Sequence, residues 1–247
     1  MLRSVLMVTA SVFITAFLSV LAVFFSIFSP SGEQSRGVAR LWARTVLRVT
    51  GTRVKVIGRE NIIMDKPQLF MANHQSDFDI PIVFAGIPVD FLWTVKKELF
   101  NVPVFGRALK KAGYIEIDRH NPAKAVNGLH GAAEKIRSGM SIATFPEGTR
   151  SRDGKLLPFK QGMFYLAIQT GTPIVPLSII GSGKIMAKDS LTIKPGEIAI
   201  VIGKPVDVEG YSLEDRHALI EKVRGIIAEN LDAYQNETVD GVAGASP

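Results

Sequence analysis

Residues 4–32 carry no charged side chain, and Leu, Val, Ile, Phe, Ala and Met dominate them. So long an apolar stretch must be buried in protein or in lipid, which constrains the fold more than any other part of the chain. A helix of about 20 apolar residues is enough to cross a bilayer. A cleaved signal peptide has a shorter apolar region, about 7–15 residues ending at a small-x-small site. We therefore predict a retained, membrane-associated helix over residues 4–28.

A second helix, over residues 34–50, is predicted after the helix-breaking segment Ser29-Pro30-Ser31-Gly32. Arginine recurs at every fourth position of this helix, next to apolar residues and one tryptophan. That spacing makes a slowly winding basic ridge beside an apolar face, as in helices that lie at a membrane and bind headgroup phosphates. The predicted membrane-interface residues are Arg36, Arg40, Arg44, Arg48 and Trp42.

The alternative for this second helix is an ordinary solvated face that packs on the protein. Because the helix follows the apolar stretch so closely, we favour the membrane and predict that residues 1–50 form a membrane-associated helical hairpin. The basic flank predicts that the main domain lies on the cytoplasmic side of the membrane. Whether the first helix spans the bilayer or enters one leaflet stays open.

The charge balance and the rare residue types exclude several classes of function. The net charge of +6 suits an anionic partner, and its location beside the apolar stretch favours a phospholipid membrane over nucleic acid. The absence of cysteine excludes thiol nucleophiles, thiolate metal sites and disulfides. The four histidines have no clustered spacing, so we predict no metal site.

Residues 51–235 alternate short β-branched runs with helical segments, which predicts an α/β domain. The last predicted strands are too close together for parallel crossovers, so the sheet is expected to be mixed, mostly buried and flanked by helices. Residues 236–247 are predicted to be a disordered tail. The predicted strands are Arg53–Ile57, Gln68–Ala72, Val89–Val95, Tyr114–Ile117, Ser141–Phe145, Ile174–Ile180, Leu191–Ile193 and Ile198–Ile202.

His74 and Asp79 lie five positions apart, between an apolar strand and an apolar helix start. An imidazole that contacts a carboxylate is a general base that works near neutral pH. Asp79 is also well placed as the N-cap of the following helix, so one oxygen could cap while the other holds the imidazole N–H. Three alternatives stay open here: a purely structural pair, Asp77 as the orienting carboxylate, or a metal held by all three side chains.

Two other segments carry candidate binding residues. A predicted strand ends at a Pro-x-Gly turn that presents Glu147, Thr149 and Arg150. Arginine suits a phosphate because its planar fork donates two parallel hydrogen bonds, and the glutamate could accept from a sugar or glycerol hydroxyl or pair with the arginine. In the other segment, the cations Lys96, Lys97 and Arg119 bracket an apolar helix, although each taken singly is typical of a solvated surface charge.

Four ordered blocks resemble those of the glycerolipid acyltransferases, most closely the bacterial 1-acylglycerol-3-phosphate (lysophosphatidate) acyltransferases. The blocks are Asn-His-Gln-Ser-x-x-Asp, Lys-Lys-Glu-Leu-Phe…Gly…Ile-Asp-Arg, Phe-Pro-Glu-Gly-Thr-Arg-Ser and Ile-Val-Pro-Leu. The resemblance covers roughly Val54 to Lys204, in the order and approximate spacing of the family. One such block is a weak signal, whereas four in order are highly specific.

The resemblance implies a direct acyl transfer without a cofactor. His74 would take the proton from the 2-hydroxyl of lysophosphatidate, and the alkoxide would attack the thioester of acyl-carrier protein or acyl-coenzyme A, giving phosphatidate. Asp79 would fix the imidazole tautomer and stabilise the imidazolium. The implied substrate-binding residues are Glu147, Gly148, Thr149, Arg150, Arg119, Lys96 and Lys97.

Three other functions remain open from the sequence. The acceptor could be glycerol-3-phosphate or another lysophospholipid, which only the shape of the pocket would distinguish. A membrane lipid-binding protein without catalysis would have no need of a base. A hydrolase would use Ser76 as a nucleophile and form an acyl-enzyme.

Overall fold

The computed structural model describes residues 1–28, 31–118 and 122–243. Its helices are α1 (Leu2–Phe25), α2 (Glu33–Val49), α3 (Asp79–Gly86), α4 (Phe105–Lys111), α5 (Pro122–Arg137), α6 (Gly162–Thr170), α7 (Ser182–Ile185) and α8 (Arg216–Ala243). Its strands are β1 (Thr52–Ile57), β2 (Leu69–Ala72), β3 (Phe91–Lys96), β4 (Ile115–Ile117), β5 (Ser141–Thr144), β6 (Ile174–Ile180) and β7 (Gly196–Ile202).

The seven strands form one mixed sheet in the order β1-β7-β6-β2-β5-β3-β4. Among the strands of the described residues, β6 and β7 pair antiparallel and every other neighbouring pair is parallel. The predicted α/β class with a mixed sheet is confirmed. The parallel register sets Met71 of β2 opposite Thr144 of β5. The loops that follow these two strands, at residues 73–78 and 145–152, therefore emerge side by side at one edge of the sheet.

The sheet is covered on both faces, which explains why β2, β5 and β6 are buried along their whole length. One core cluster joins the sheet to α5, α6 and α8, through residues such as Ala132, Phe164 and Val223. The other joins it to α3 and to the N-terminal helices, through residues such as Ile82 and Leu47. The N-terminal helices are thus part of the second layer on the sheet.

Helices α1 and α2 form a hairpin whose observed bounds lie close to the predicted ones. Two side-chain hydrogen bonds join them: Ser35 Oγ donates to the carbonyl of Ala22 at 2.9 Å, and Trp42 Nε1 donates to Thr15 Oγ1 at 2.9 Å. By length and composition α1 could cross a membrane. Many of its large apolar side chains are exposed, among them Leu2, Val5, Leu6, Val12, Phe13, Phe17, Val20 and Phe24.

The arginine ridge divides between protein and solvent. Arg36 Nε donates to Asp90 Oδ2 at 2.5 Å, and Arg40 donates to the carbonyls of Ile87 and Val89. For these two residues the predicted membrane contact is wrong. Residues four apart on a helix differ by about 40° in direction, so the ridge winds away from the protein along α2. Of the four arginines of the ridge, Arg44 and Arg48 are the two that are exposed.

Two further differences from prediction concern the chain after β6. Residues 191–193 form no strand; Leu191 is exposed, and the extended segment lies against α1 through a bond from Ser4 Oγ to the carbonyl of Ile193. Helix α8 continues to Ala243, into the segment 236–247 that was predicted to be a disordered tail. A helix that is already nucleated extends at low cost per residue, which composition alone does not reveal. Residues 244–247 lie outside the described part of the chain.

Candidate active site

The pair His74 and Asp79 has the geometry of a general base and its orienting carboxylate. The two atoms His74 Nδ1 and Asp79 Oδ2 are 2.7 Å apart. Asp79 is fully buried and His74 is partly buried. Because a carboxylate only accepts, Nδ1 carries the hydrogen and Nε2 is the nitrogen that can take a proton. The structure thus selects Asp79, rather than Asp77, as the partner of the imidazole.

Asp79 also holds the loop that carries the histidine. Its Oδ2 accepts hydrogen bonds from the backbone N–H groups of Gln75 and Ser76, at 2.7 and 2.8 Å. Asp79 is the first residue of α3 and makes no side-chain cap, so the predicted N-cap role is wrong. The carboxylate points back into the preceding loop because that loop offers three donors to one oxygen. The same side chain therefore fixes both the imidazole and the backbone that bears it.

Glu147 joins the histidine loop to the loop after β5. Its Oε1 accepts from the backbone N–H of His74 at 2.7 Å, and its Oε2 accepts from the N–H of Leu157 at 2.9 Å. The side chain is 3 % exposed, and burial raises the pKa of the Glu147 carboxyl while the two backbone donors lower it. The sequence predicts a substrate contact or an ion pair with Arg150. The contacts observed instead are those of a buried bridge between two loops.

The imidazole is also fixed by an aromatic stack. The ring of His74 lies 3.8 Å from that of Phe145, with an interplanar angle of 7°, and Phe145 stacks in turn on Trp93 at 5.0 Å. Asp79 thus restrains the edge of the His74 ring and Phe145 its face, while Glu147 restrains the backbone of His74. Such pre-organisation is what a proton-transfer residue requires.

His74 lines a cavity of about 800 Å³ that extends beneath the N-terminal hairpin. We call this cavity the tunnel. Near His74 its lining is polar and includes Thr149, Arg150 and Lys160. Farther along, the lining is mostly apolar, with residues such as Leu18, Ala22, Val38, Phe84, Ala108 and Leu109. Its volume lies within the range of small-molecule sites, and its shape suits a molecule with a polar head and an apolar chain.

Gly148, Thr149 and Arg150, which are predicted to bind substrate, line the same cavity as His74. Arg150 Nη1 donates to Asp77 Oδ2 at 2.6 Å, and its Nη2 lies 3.5 Å from Asp189 Oδ1. Both carboxylates are more than half exposed, so these pairs are weak and an anion of higher charge can replace them. The carboxylates of Asp77 and Asp189 therefore orient the Arg150 guanidinium at the site, and a bound anion could take their place.

The second basic block is only partly at the site. Lys96 lines the tunnel, and its Nζ lies 3.7 Å from Glu98. Lys97 pairs with Asp118 at 3.0 Å, and this hydrogen bond and the charge of Asp118 hold the pKa of Lys97 above its ordinary value. Lys97 is not among the residues that line the tunnel. Arg119 lies outside the described residues.

The sequence reasoning missed two lysines at the site. Lys160 lines the tunnel next to His74 and Arg150. Its side chain crosses Gly148, whose φ is +70°, so closely that a Cβ there would lie 2.8 Å from Lys160 Cε. Lys188 donates to the carbonyl of Arg150 at 2.8 Å. The only sequence signal was the lysine after Leu-Pro-Phe, 13 positions from Glu147, which no spacing rule connects to His74.

The family model described as acyltransferase matches residues 53–180, which include His74, Asp79 and the loop after β5. The chain belongs to the acyltransferase family. This confirms the family predicted from the four sequence blocks, and with it the assignment of the chain as an acyltransferase enzyme.

Known relatives extend the comparison over most of the chain. A 1-acyl-sn-glycerol-3-phosphate acyltransferase of Limnanthes douglasii is 32 % identical over 191 residues, which are 77 % of this chain and 67 % of the relative. The human 1-acyl-sn-glycerol-3-phosphate acyltransferase alpha is 29 % identical over 229 residues, 92 % of this chain and 80 % of the relative. The chloroplastic relative of Brassica napus is longer, and this chain covers 55 % of it.

A solved structure has the same fold. The 1-acyl-sn-glycerophosphate acyltransferase of Thermotoga maritima superposes with a TM-score of 0.80 at 28 % identity, and the match covers 95 % of each chain. Because the match spans nearly the whole chain, the likeness includes the N-terminal helices as well as the sheet. The N-terminal hairpin is therefore a feature that this acyltransferase shares with a solved relative.

Proposed function

We propose that this acyltransferase moves a fatty acyl group from a thioester carrier to the 2-hydroxyl of 1-acylglycerol-3-phosphate and so forms phosphatidate. The observation that carries the proposal is the contact of 2.7 Å between His74 Nδ1 and Asp79 Oδ2 at the head of the tunnel. The names of the relatives in Limnanthes and human, and of the solved Thermotoga protein, support the same acceptor.

The proposed mechanism is a single displacement. His74 Nε2 takes the proton of the 2-hydroxyl while the hydroxyl oxygen attacks the thioester carbonyl. The imidazolium that forms is stabilised by Asp79, as in the serine-hydrolase triad. The tetrahedral intermediate then collapses with loss of the thiolate, which takes up the proton. No acyl-enzyme is formed.

The 3-phosphate is assigned to the cations beside His74. Arg150 would exchange its contacts with Asp77 and Asp189 for the phosphate, which offers two oxygens to its planar fork. Lys160 is an exposed ammonium on the same cavity wall and would add a second cation. Lys96 contributes charge from β3, whereas Lys97 and Arg119 remain predicted members of the site.

The location and the donor follow from the same arrangement. The exposed apolar face of α1 and the cations Arg44 and Arg48 suit a phospholipid surface, and the basic flank suits the cytoplasmic side of the inner membrane. The soluble donor, acyl-carrier protein or acyl-coenzyme A, would approach from the cytoplasm and place its acyl chain in the tunnel.

The hydrolase alternative has no structural support. Ser76 is fully buried, and its Oγ donates to the carbonyl of Met186 at 2.7 Å while accepting from the N–H of Phe78. A nucleophile must reach substrate, and this hydroxyl holds two chain segments together instead. The serine therefore supports the loop.

The product of the reaction tests the proposal. Purified protein with lysophosphatidate and acyl-coenzyme A or acyl-carrier protein should form phosphatidate, and His74→Ala should lose several orders of magnitude in kcat. His217→Ala is the matched control, because His217 is exposed on α8. Free fatty acid as the main product would contradict the proposal in favour of a hydrolase. Acylation of glycerol-3-phosphate in preference to lysophosphatidate would change the acceptor.

A further inference from the structure

A second cavity, of about 640 Å³, adjoins the tunnel. We call it the groove. Residues that line it but not the tunnel include Val12, Ala16, Phe78, Pro103, Leu191 and Ile193. Several apolar side chains of its lining are exposed, among them Val12, Val20, Val102 and Leu191. The groove is therefore open along the face of α1 that we assign to the membrane.

The groove and the tunnel share a wall. Trp42 and Thr15 line both cavities and are joined by the hydrogen bond of 2.9 Å from Trp42 Nε1 to Thr15 Oγ1. Leu99 and Phe105 also line both. Two chains could therefore lie side by side, one in each cavity, with a fixed partition between them.

The few hydroxyl groups that line the groove do not make its surface polar. Its hydroxyl side chains on α1 bond their own helix: Ser11 to Met7, Thr15 to Ser11 and Ser19 to Thr15, at 2.6–2.8 Å to the backbone carbonyls. Hydroxyls satisfied in this way leave a surface that an aliphatic chain can contact without desolvating a donor.

One charged residue links the groove to the proposed phosphate site. Asp77 lines both cavities and is the partner of Arg150, the proposed phosphate ligand. It is the single charged residue among those that line the groove in the described part of the chain. A lipid whose anionic head is held by Arg150 could therefore lay its chain in the groove.

The proposed reaction requires two apolar chains at once, one on the donor and one on the acceptor. The tunnel contains His74 and runs beneath the hairpin, whereas the groove opens along the exposed face of α1. A lysophospholipid already resides in the membrane and can enter sideways along that face. In the proposed function, on which this rests, the acyl chain of the donor occupies the tunnel, and we propose that the groove binds the 1-acyl chain of the acceptor.

Matched filling variants test this assignment. Ala16 lines the groove only and Ala39 the tunnel only, so Ala16→Phe and Ala39→Phe make the same change in each cavity. The assay compares kcat/KM for 1-oleoyl and 1-hexanoyl lysophosphatidate in mixed micelles with one donor, and for palmitoyl and octanoyl coenzyme A with one acceptor. Val12→Trp is a second groove variant in case Ala16→Phe fails to fold.

The expected result is a double dissociation. Ala16→Phe should lower the oleoyl-to-hexanoyl ratio about tenfold or more, because several methylenes lose their contact surface, and leave the donor ratio unchanged. Ala39→Phe should do the reverse. A changed donor ratio in Ala16→Phe would assign the groove to the donor chain, and two unchanged ratios with weaker vesicle binding would make it a general lipid contact. Either overturns the inference. A wild type that does not acylate lysophosphatidate defeats the proposed function itself.

Discussion

Replacing Glu147 with glutamine distinguishes two possible roles of this carboxylate, a substrate contact and a bridge between backbone segments, and the structure assigns it to the backbone. Each of its oxygens accepts one buried backbone N–H, from His74 and from Leu157. A glutamine has a single acceptor oxygen, so its NH₂ group would face one of these N–H donors. One buried donor would lose its partner.

The size of the effect follows from these two bonds. Losing a hydrogen bond to a charged group and leaving a buried N–H unpaired costs about 1.5–3 kcal/mol, part of which is offset because the buried charge is removed. We expect Glu147→Gln to unfold with a free energy about 2 kcal/mol lower, which lowers Tm by roughly 4–8 °C in a chain of this size. Because His74 loses its backbone anchor, kcat should fall about 10²-fold while KM for lysophosphatidate changes little.

The assay combines thermal unfolding with steady-state kinetics at varied acceptor concentration. Glu98→Gln is the matched control, since the side chain of Glu98 is 51 % exposed, and it should change neither quantity. If Glu147 instead contacted an acceptor hydroxyl, the loss of its charge would weaken that contact, so KM would rise while Tm stayed unchanged. That outcome would refute the bridging role.

Three further predictions follow from the site and the hairpin. Lys160→Met should raise KM for lysophosphatidate about tenfold, as loss of one charge-assisted phosphate contact does. Lys155→Met, in the exposed stretch of the same loop, should leave KM unchanged. An unchanged KM in Lys160→Met would show that Lys160 does not bind the phosphate. Replacing the exposed Arg44 and Arg48 with glutamine should weaken binding to anionic vesicles by about 1 kcal/mol per residue, measured by sedimentation. Arg36→Gln should lower Tm instead, because it breaks the ion pair with Asp90. Equal vesicle binding by all these variants would argue against a membrane contact of Arg44 and Arg48. Burial raises the pKa of the Glu147 carboxyl above its ordinary value of 4.5, so the folded protein binds the carboxyl proton more tightly than the unfolded chain does. The contribution of Glu147 to the free energy of unfolding should therefore decline as the pH rises just above 4.5. Chemical unfolding at several pH values should show this decline in the wild type and not in Glu147→Gln.

The sequence was informative where function depends on local spacing. His74 and Asp79 are five positions apart in one loop, so their contact could be predicted from the chain alone. The parallel order of β2 and β5 then brought the turn at Glu147 to Arg150 beside them, which an α/β pattern makes possible but does not specify. The hairpin bounds were also close, because a long uncharged stretch has few alternatives.

The sequence was misleading where a side chain could turn toward either protein or solvent. Arg36 and Arg44 look alike in the repeat, yet the winding of α2 buries the first against Asp90 and exposes the second. Glu147 is in the motif but faces the backbone. Lys160 is outside the motif but lies over Gly148, a contact that depends on how the loop after β5 returns to the site.

The central claim is that Asp79 orients His74 for proton transfer, and the asparagine variants of two nearby aspartates test it most directly. In Asp79→Asn the side chain is neutral, so it cannot stabilise the imidazolium that forms when Nε2 takes the proton, and kcat should fall about 10⁴-fold, the size of the loss when the serine-hydrolase triad loses its aspartate charge. Asp77→Asn makes the same chemical change two positions away, at the partner of Arg150, and should alter KM for lysophosphatidate while kcat stays within about tenfold of wild type. Equal kcat values for the two variants would contradict the account.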